Sequence, residues 1–173
     1  DGKMAKDTLA QAVELAAGVE ERFQAQALAA IALGYARADL ADEAGAMVEQ
    51  LEASARAVKE LRPKAEALAA AAATDDDAAR VRAQTGAKDD AAKLLVEAAD
   101  AAKKIEEKGM AAENRTYALL SVASAYLATG DAKAAAELLK LAEKSSGQVP
   151  DPEGQKNSLE KVRALQSEAE RKK

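Results

Sequence analysis

Residues 27–44 read ALAAIALGYARADLADEA, and residues 118–135 read ALLSVASAYLATGDAKAA. A shift of 91 positions places Leu28 on Leu119, Ile31 on Val122, Ala32 on Ala123, Tyr35 on Tyr126, Asp39 on Gly130 and Ala44 on Ala135. A partial copy, the second in chain order, lies between them. Gly86, Ala91, Leu94, Leu95 and Ala98 match Gly130, Ala135, Leu138, Leu139 and Ala142 at a shift of 44. Self-similarity of this kind predicts a repeat architecture, in which each helical hairpin buries its apolar face only against its neighbours. Within each copy the large apolar residues recur three and four positions apart, the spacing of one helical face.

The rest of the chain agrees with an all-α reading. Of its 173 residues, 49 % are hydrophobic and only 2 % aromatic: Phe23, Tyr35, Tyr117 and Tyr126. Alanine dominates, and alanine is the best helix former. Long alternating runs of β-branched residues are absent from the sequence. An alanine-rich core packs helices closely but gains little per side chain, because burial energy follows apolar area at ~25 cal/mol per Å².

Helix signals follow in order. Asp7 or Thr8 can cap a first helix that Gly18 closes. A second helix is expected from about Glu20 to Ala38, a third from Asp42 to about Glu60, and Pro63 suits the first turn of a fourth. Residues 62–72 match residues 22–32 at a shift of 40, yet Ala91 pairs with Ala44 at 47. The seven extra residues equal two helical turns, which favours one long helix over 62–85. A break at Thr74 is the alternative. Further helices are expected over 88–108, 112–129 and 132–145. Gly147 to Gly154 reads as a linker, and an amphipathic helix from Asn157, with Leu159, Val162 and Leu165, reads as a terminal cap. The division is a repeat domain over 1–148, then a linker and capping helix over 149–173.

The third copy resembles the tetratricopeptide repeat. Leu119, Ala123 and Tyr126 fill the family's large, small and aromatic positions on the first helix of a hairpin. Gly130, Ala135, Leu139 and Ala142 fill the turn and second-helix positions. Leu28, Ala32, Tyr35, Ala44 and Val48 repeat the set, with Asp39 at the turn position. The second copy departs from it, with Arg82 where the aromatic residue belongs. The resemblance spans roughly residues 20–145. It implies a right-handed superhelical stack of about eight antiparallel helices that binds a peptide or protein segment in a concave groove. By the same mapping the groove is lined by Gln26, Leu33 and Arg37 in the first copy, and by Tyr117, Leu120 and Ser124 in the third. Phase puts Tyr117 outside the inward stripe of Leu119, Val122 and Tyr126. Tyr35 and Tyr126 are therefore expected in the core and Tyr117 on a partly exposed surface.

Composition narrows the chemistry. The chain has no histidine and no cysteine, which removes His-based triads, thiol nucleophiles, disulfides and ordinary zinc sites. No enzyme activity and no cofactor are expected. Asp75, Asp76 and Asp77, with Asp89 and Asp90, could hold a hard cation, but read better as negative charge at helix starts. The glycines at 147 and 154 have the wrong spacing for a phosphate loop. The net charge is −5 with both signs interspersed, so a nucleic-acid partner is not expected. Uncharged runs reach only 14 and 15 residues, short of a membrane span. A soluble protein is expected, cytoplasmic or exported with its leader removed. The expected role is a non-enzymatic scaffold for a protein or peptide. The alternatives are a self-assembling, homo-oligomeric helical module, or a stress-type Ala/Lys/Glu-rich chain that becomes helical on membranes.

Overall fold

A computed structural model describes residues 2–72 and 88–171. Among the described residues all regular structure is helical: α1 (Gly2–Ala16), α2 (Glu21–Arg37), α3 (Ala41–Ala57), α4 (Leu61–Ala72), α5 (Lys88–Lys104), α6 (Met110–Ala128), α7 (Ala132–Ser146) and α8 (Pro152–Arg171). Each helix packs on its neighbour in sequence. In addition α2 packs on α4, α4 on α6 and α6 on α8. The even-numbered helices thus form one continuous layer, and the odd-numbered helices cover it.

The inward stripes are those the sequence marked. Leu28, Ile31, Ala32 and Tyr35 of α2 are buried, as are Met47, Val48 and Leu51 of α3. Helix α6 is buried almost all round, because α4, α5, α7 and α8 all pack on it. That placement explains its uncharged stretch: a helix surrounded by protein needs no polar face. Ala123 and Ala135 are both fully buried, and small side chains here let neighbouring backbones approach.

The two even-to-odd turns among the described residues close alike. In the first, the Leu40 N–H donates to the Tyr35 carbonyl at 3.0 Å, and the Ala44 N–H to the Leu40 carbonyl at 3.0 Å. In the second, the Asp131 N–H donates to the Tyr126 carbonyl at 2.8 Å, and the Ala135 N–H to the Asp131 carbonyl at 3.1 Å. Asp39 adopts φ 63° where Gly130 adopts φ 87°. This left-handed residue lets the chain reverse after the helix, and aspartate is among the few side chains that tolerate it. The second turn adds a side-chain cap, the Asp131 carboxylate accepting from the Ala134 N–H at 2.9 Å.

Several boundaries move for identifiable reasons. Helix α1 starts at Gly2, before the expected caps. Thr8 lies inside it, its hydroxyl donating to the Met4 carbonyl at 2.9 Å. Helix α8 starts at Pro152, five residues before Asn157. Proline fits a first helical position, where its missing N–H would be unused anyway. The Asp151 carboxylate caps that end, accepting from the Gly154 N–H at 2.6 Å. The linker therefore shrinks to residues 147–151. Helix α8 packs on α6 and α7, with Val162 and Ala169 buried. The buried hydroxyls of Ser146 and Ser158 lie 2.5 Å apart, and Ser158 donates onward to the Gln155 carbonyl. Leu9 of α1 rests on Gly34 of α2, where an added Cβ would come within 2.6 Å of the leucine Cδ2. Helix α4 is described to Ala72. The choice between one helix and two over 62–85 lies outside the described residues, as do Asp75, Asp76, Asp77, Arg82, Gly86 and the side chains of Asp89 and Asp90.

The tyrosines divide differently from expectation. Tyr35 is buried, at 5 % exposure, but Tyr126 is only partly buried, like Tyr117. Burial, reinforced by the nearby carboxylates of Asp131 and Asp100, pushes the Tyr126 hydroxyl above its ordinary pKa. The ring packs against the core cluster.

Candidate binding cleft

Four turns lead from odd to even helices, over residues 17–20, 58–60, 105–109 and 147–151. Three of them tuck one aliphatic side chain into the interior: Val58, Ile105 and Val149. Three of the even helices show an apolar residue to solvent in their first turn. Leu61 opens α4 and is 36 % exposed, Met110 opens α6 and is 73 % exposed, and Phe23 in the first turn of α2 is 47 % exposed. A cleft of about 780 Å³ lies among these helix starts. Its walls include Phe23 and Gln26 of α2, Leu61, Arg62 and Glu66 of α4, and Asn114 of α6.

Arg62 organises the cleft. Its Nε donates to the Glu66 carboxylate at 2.8 Å, and its Nη1 to the Asn114 side-chain oxygen at 2.7 Å. Glu66 lies four residues on, one turn along the same helical face, so the guanidinium is held in place from its own helix. The bond to Asn114 joins the start of α4 to the start of α6. The Arg62 guanidinium carbon also lies 5.5 Å from the Tyr117 ring centroid. On α8, the Lys161 Nζ lies 4.6 Å from the same centroid. The ring therefore meets cations from both neighbouring even helices, an arrangement favoured by the negative face of the π system.

The expected groove residues are spread along this layer. Gln26 lines the cleft, and Tyr117 adjoins it through Arg62 and Asn114. Leu33 and Arg37 lie seven and eleven residues past Gln26 on α2, ~10 and ~16 Å along the helix. Leu33 is half-buried and Arg37 exposed. Leu120 is buried in the core at 6 % exposure, and Ser124 is exposed one turn further along α6. Of the six expected groove residues Gln26 alone lines the cleft; Tyr117 lies beside it against Arg62, and the other four lie further beyond its walls.

No family model, curated protein or solved structure matches the chain. The residues of the cleft are thus read from their own chemistry. They offer amides, one ion pair and exposed apolar side chains, which suit recognition of another chain. Among the described residues no group of three or more metal-binding side chains comes together, and no helix is long and apolar enough to cross a membrane.

Phe23, Leu61, Arg62, Asn114 and Lys161 were not identified as site residues from the sequence. One signal did exist. The shift of 40 that aligns residues 22–32 with 62–72 places Glu66 on Gln26 and Arg62 on Arg22. That match serves to place a helix, and the groove positions are carried only onto the first and third copies.

Proposed function

We propose that the protein is a non-enzymatic scaffold that binds a peptide or protein segment along its layer of even-numbered helices. The observation that carries this reading is the open cleft of about 780 Å³, which brings exposed apolar residues together with an ordered Arg62–Glu66–Asn114 network. Exposed aromatic residues and arginine are common anchors of protein interfaces. Tyr117, flanked by Arg62 and Lys161, extends the surface toward α8. The resemblance of the hairpins to tetratricopeptide repeats supports the same reading, with a right-handed superhelical stack and a concave groove that includes Gln26, Leu33, Arg37, Tyr117, Leu120 and Ser124.

The test is selection of displayed random peptides on the immobilised protein. Enriched sequences should converge, bind in solution, and lose binding in Gln26→Ala and Tyr117→Ala while tolerating Val96→Ser on the exposed face of α5. Failure to enrich any convergent sequence, or binding indifferent to both cleft variants, counts against the scaffold.

A self-assembling module is the second reading. Met4 and Leu15 of α1 are 67 % and 76 % exposed, and their separation of eleven residues puts them on one stripe. Light scattering on purified protein distinguishes the two: a stable oligomer lost in Met4→Ser/Leu15→Ser supports assembly.

A further inference from the structure

We infer that α8 is a displaceable strap: it swings off α6 and α7 about residues 147–151 and opens their covered flank, with Tyr117, to an amphipathic helix of a partner. The opening follows from the packing of α8, and its use as a gate rests on the scaffold reading.

Helix α8 buries little for its length. Of its twenty residues only Ser158, Val162 and Ala169 are buried, whereas α6, one residue shorter, buries nine. With the half-buried Leu165, the three form a stripe at spacings of four, three and four, which is one narrow helical face. One member of that stripe is a hydroxyl. A helix held by so few apolar side chains opens at a lower free energy than the elements beneath it.

The other contacts of α8 are polar. The Ser146 and Ser158 hydroxyls bond to each other. Gln166 donates to the Glu143 carboxylate at 3.1 Å, and Gln155 to the Gly147 carbonyl at 3.2 Å. Water replaces such bonds when the helix leaves, so each adds little to the closed state. Val149, buried in the connecting turn, holds the pivot. The cap formed by Asp151 on the Gly154 N–H lies on the far side of that pivot and travels with α8.

The strap lies beside the candidate cleft. Its Lys161 Nζ stands 4.6 Å from the Tyr117 ring centroid, and Arg62 of the cleft meets the same ring. Lifting α8 takes one cation from the ring and bares the side of α6 and α7 on which Val162 and Ala169 pack. The resident helix shows what fits there: a narrow stripe of small and aliphatic residues at four, three and four, with a lysine next to the valine. A partner helix of that pattern is the occupant of the open state.

The chain has no cysteine, so Ser146→Cys/Ser158→Cys creates the one disulfide that can form within it. Hydroxyls 2.5 Å apart put the two sulfurs within bonding reach. Hydrogen exchange followed by mass spectrometry should show the amides of residues 152–171 exchanging together, about tenfold or more faster than those of α6 and α7. Oxidation of the cysteine variant should abolish that difference, and reduction should restore it. The bared flank is probed with a fluorescein-labelled peptide of residues 152–171. Fluorescence anisotropy should show saturable binding to Val162→Ser, whose own α8 is loosened, and binding about tenfold or more weaker to the oxidised cysteine variant, whose α8 is tied in place. Tyr117→Ala added to Val162→Ser should weaken the peptide several-fold. If Val162→Ser fails to fold by circular dichroism, Ala169→Ser is read in its place. A scrambled peptide should not bind.

Exchange of α8 at the pace of α6 and α7, or equal binding of the peptide to the oxidised and reduced cysteine variant, overturns the inference. So does a disulfide-linked dimer as the main oxidation product, which assigns the flank to a second copy. If displayed peptides bind the oxidised variant as well as they bind the unaltered chain, the strap gates nothing and falls while the scaffold stands. If α8 opens and its peptide binds but no displayed sequence converges, the strap stands and the scaffold falls.

Discussion

The two edges of the stack use their turn residues in opposite ways. On the edge of the even-to-odd turns, Asp39 and Gly130 reverse the chain in the left-handed region and the same backbone bonds close both turns. On the opposite edge, aliphatic residues anchor three of the turns from within, and the helix starts expose Phe23, Leu61 and Met110. The first edge spends its residues on closing hairpins. The second shows apolar side chains to solvent, Met110 at 73 % exposure.

The largest expected effect tests the first edge. Tyr35→Ala should cost about 3–5 kcal/mol, as for a buried aromatic truncation, and Tyr126→Ala less, about 1–3 kcal/mol. Urea unfolding measures both. Equal losses would show that partial exposure of Tyr126 does not set its contribution. Ala135→Leu, beside the second turn, should overpack the α6–α7 hairpin and cost about 1–3 kcal/mol. An unchanged urea midpoint and slope would mean the hairpin there is loosely packed.

The turn residues separate next. Gly130→Ala should cost about 1–2 kcal/mol from backbone strain alone, since nothing lies within 4 Å of the added Cβ. On the other edge, Met110→Ser should change stability by no more than about 0.5 kcal/mol. A thermal melt showing a larger fall would make Met110 structural and break the contrast.

The smallest effect concerns pH. Glu107, in the turn before α6, accepts a bond from Lys144 of α7 at 3.0 Å. That bond holds its carboxyl below the usual glutamate range. A folded-state pKa below the unfolded one means the contribution is present above about pH 4.5 and fades as pH falls through the folded-state value. Being exposed, the pair should contribute little at neutral pH. NMR titration should find the Glu107 carboxyl returned toward its usual range in Lys144→Met, and an unmoved titration would reject the pairing.

Periodicity alone was enough to determine the all-helical class and the inward stripes. Leu28, Ile31 and Tyr35 could satisfy no other element, because burial of one face at 3.6 residues per turn is a local property of the chain. The positive-φ turn at Gly130 was equally local, and its counterpart at Asp39 was visible once the two copies were aligned. What the chain could not reveal locally was contact between distant helices. Pro152 looked like linker until α8 was seen docked on α6 and α7, where a proline at the first helical position fits. Tyr126 carried the pattern of a core residue, but the neighbours around a side chain, not its phase, decide how much of it water reaches. The cleft depends most on tertiary structure: Arg62 and Asn114 lie 52 positions apart, and only the packing of α4 on α6 brings the guanidinium to the amide.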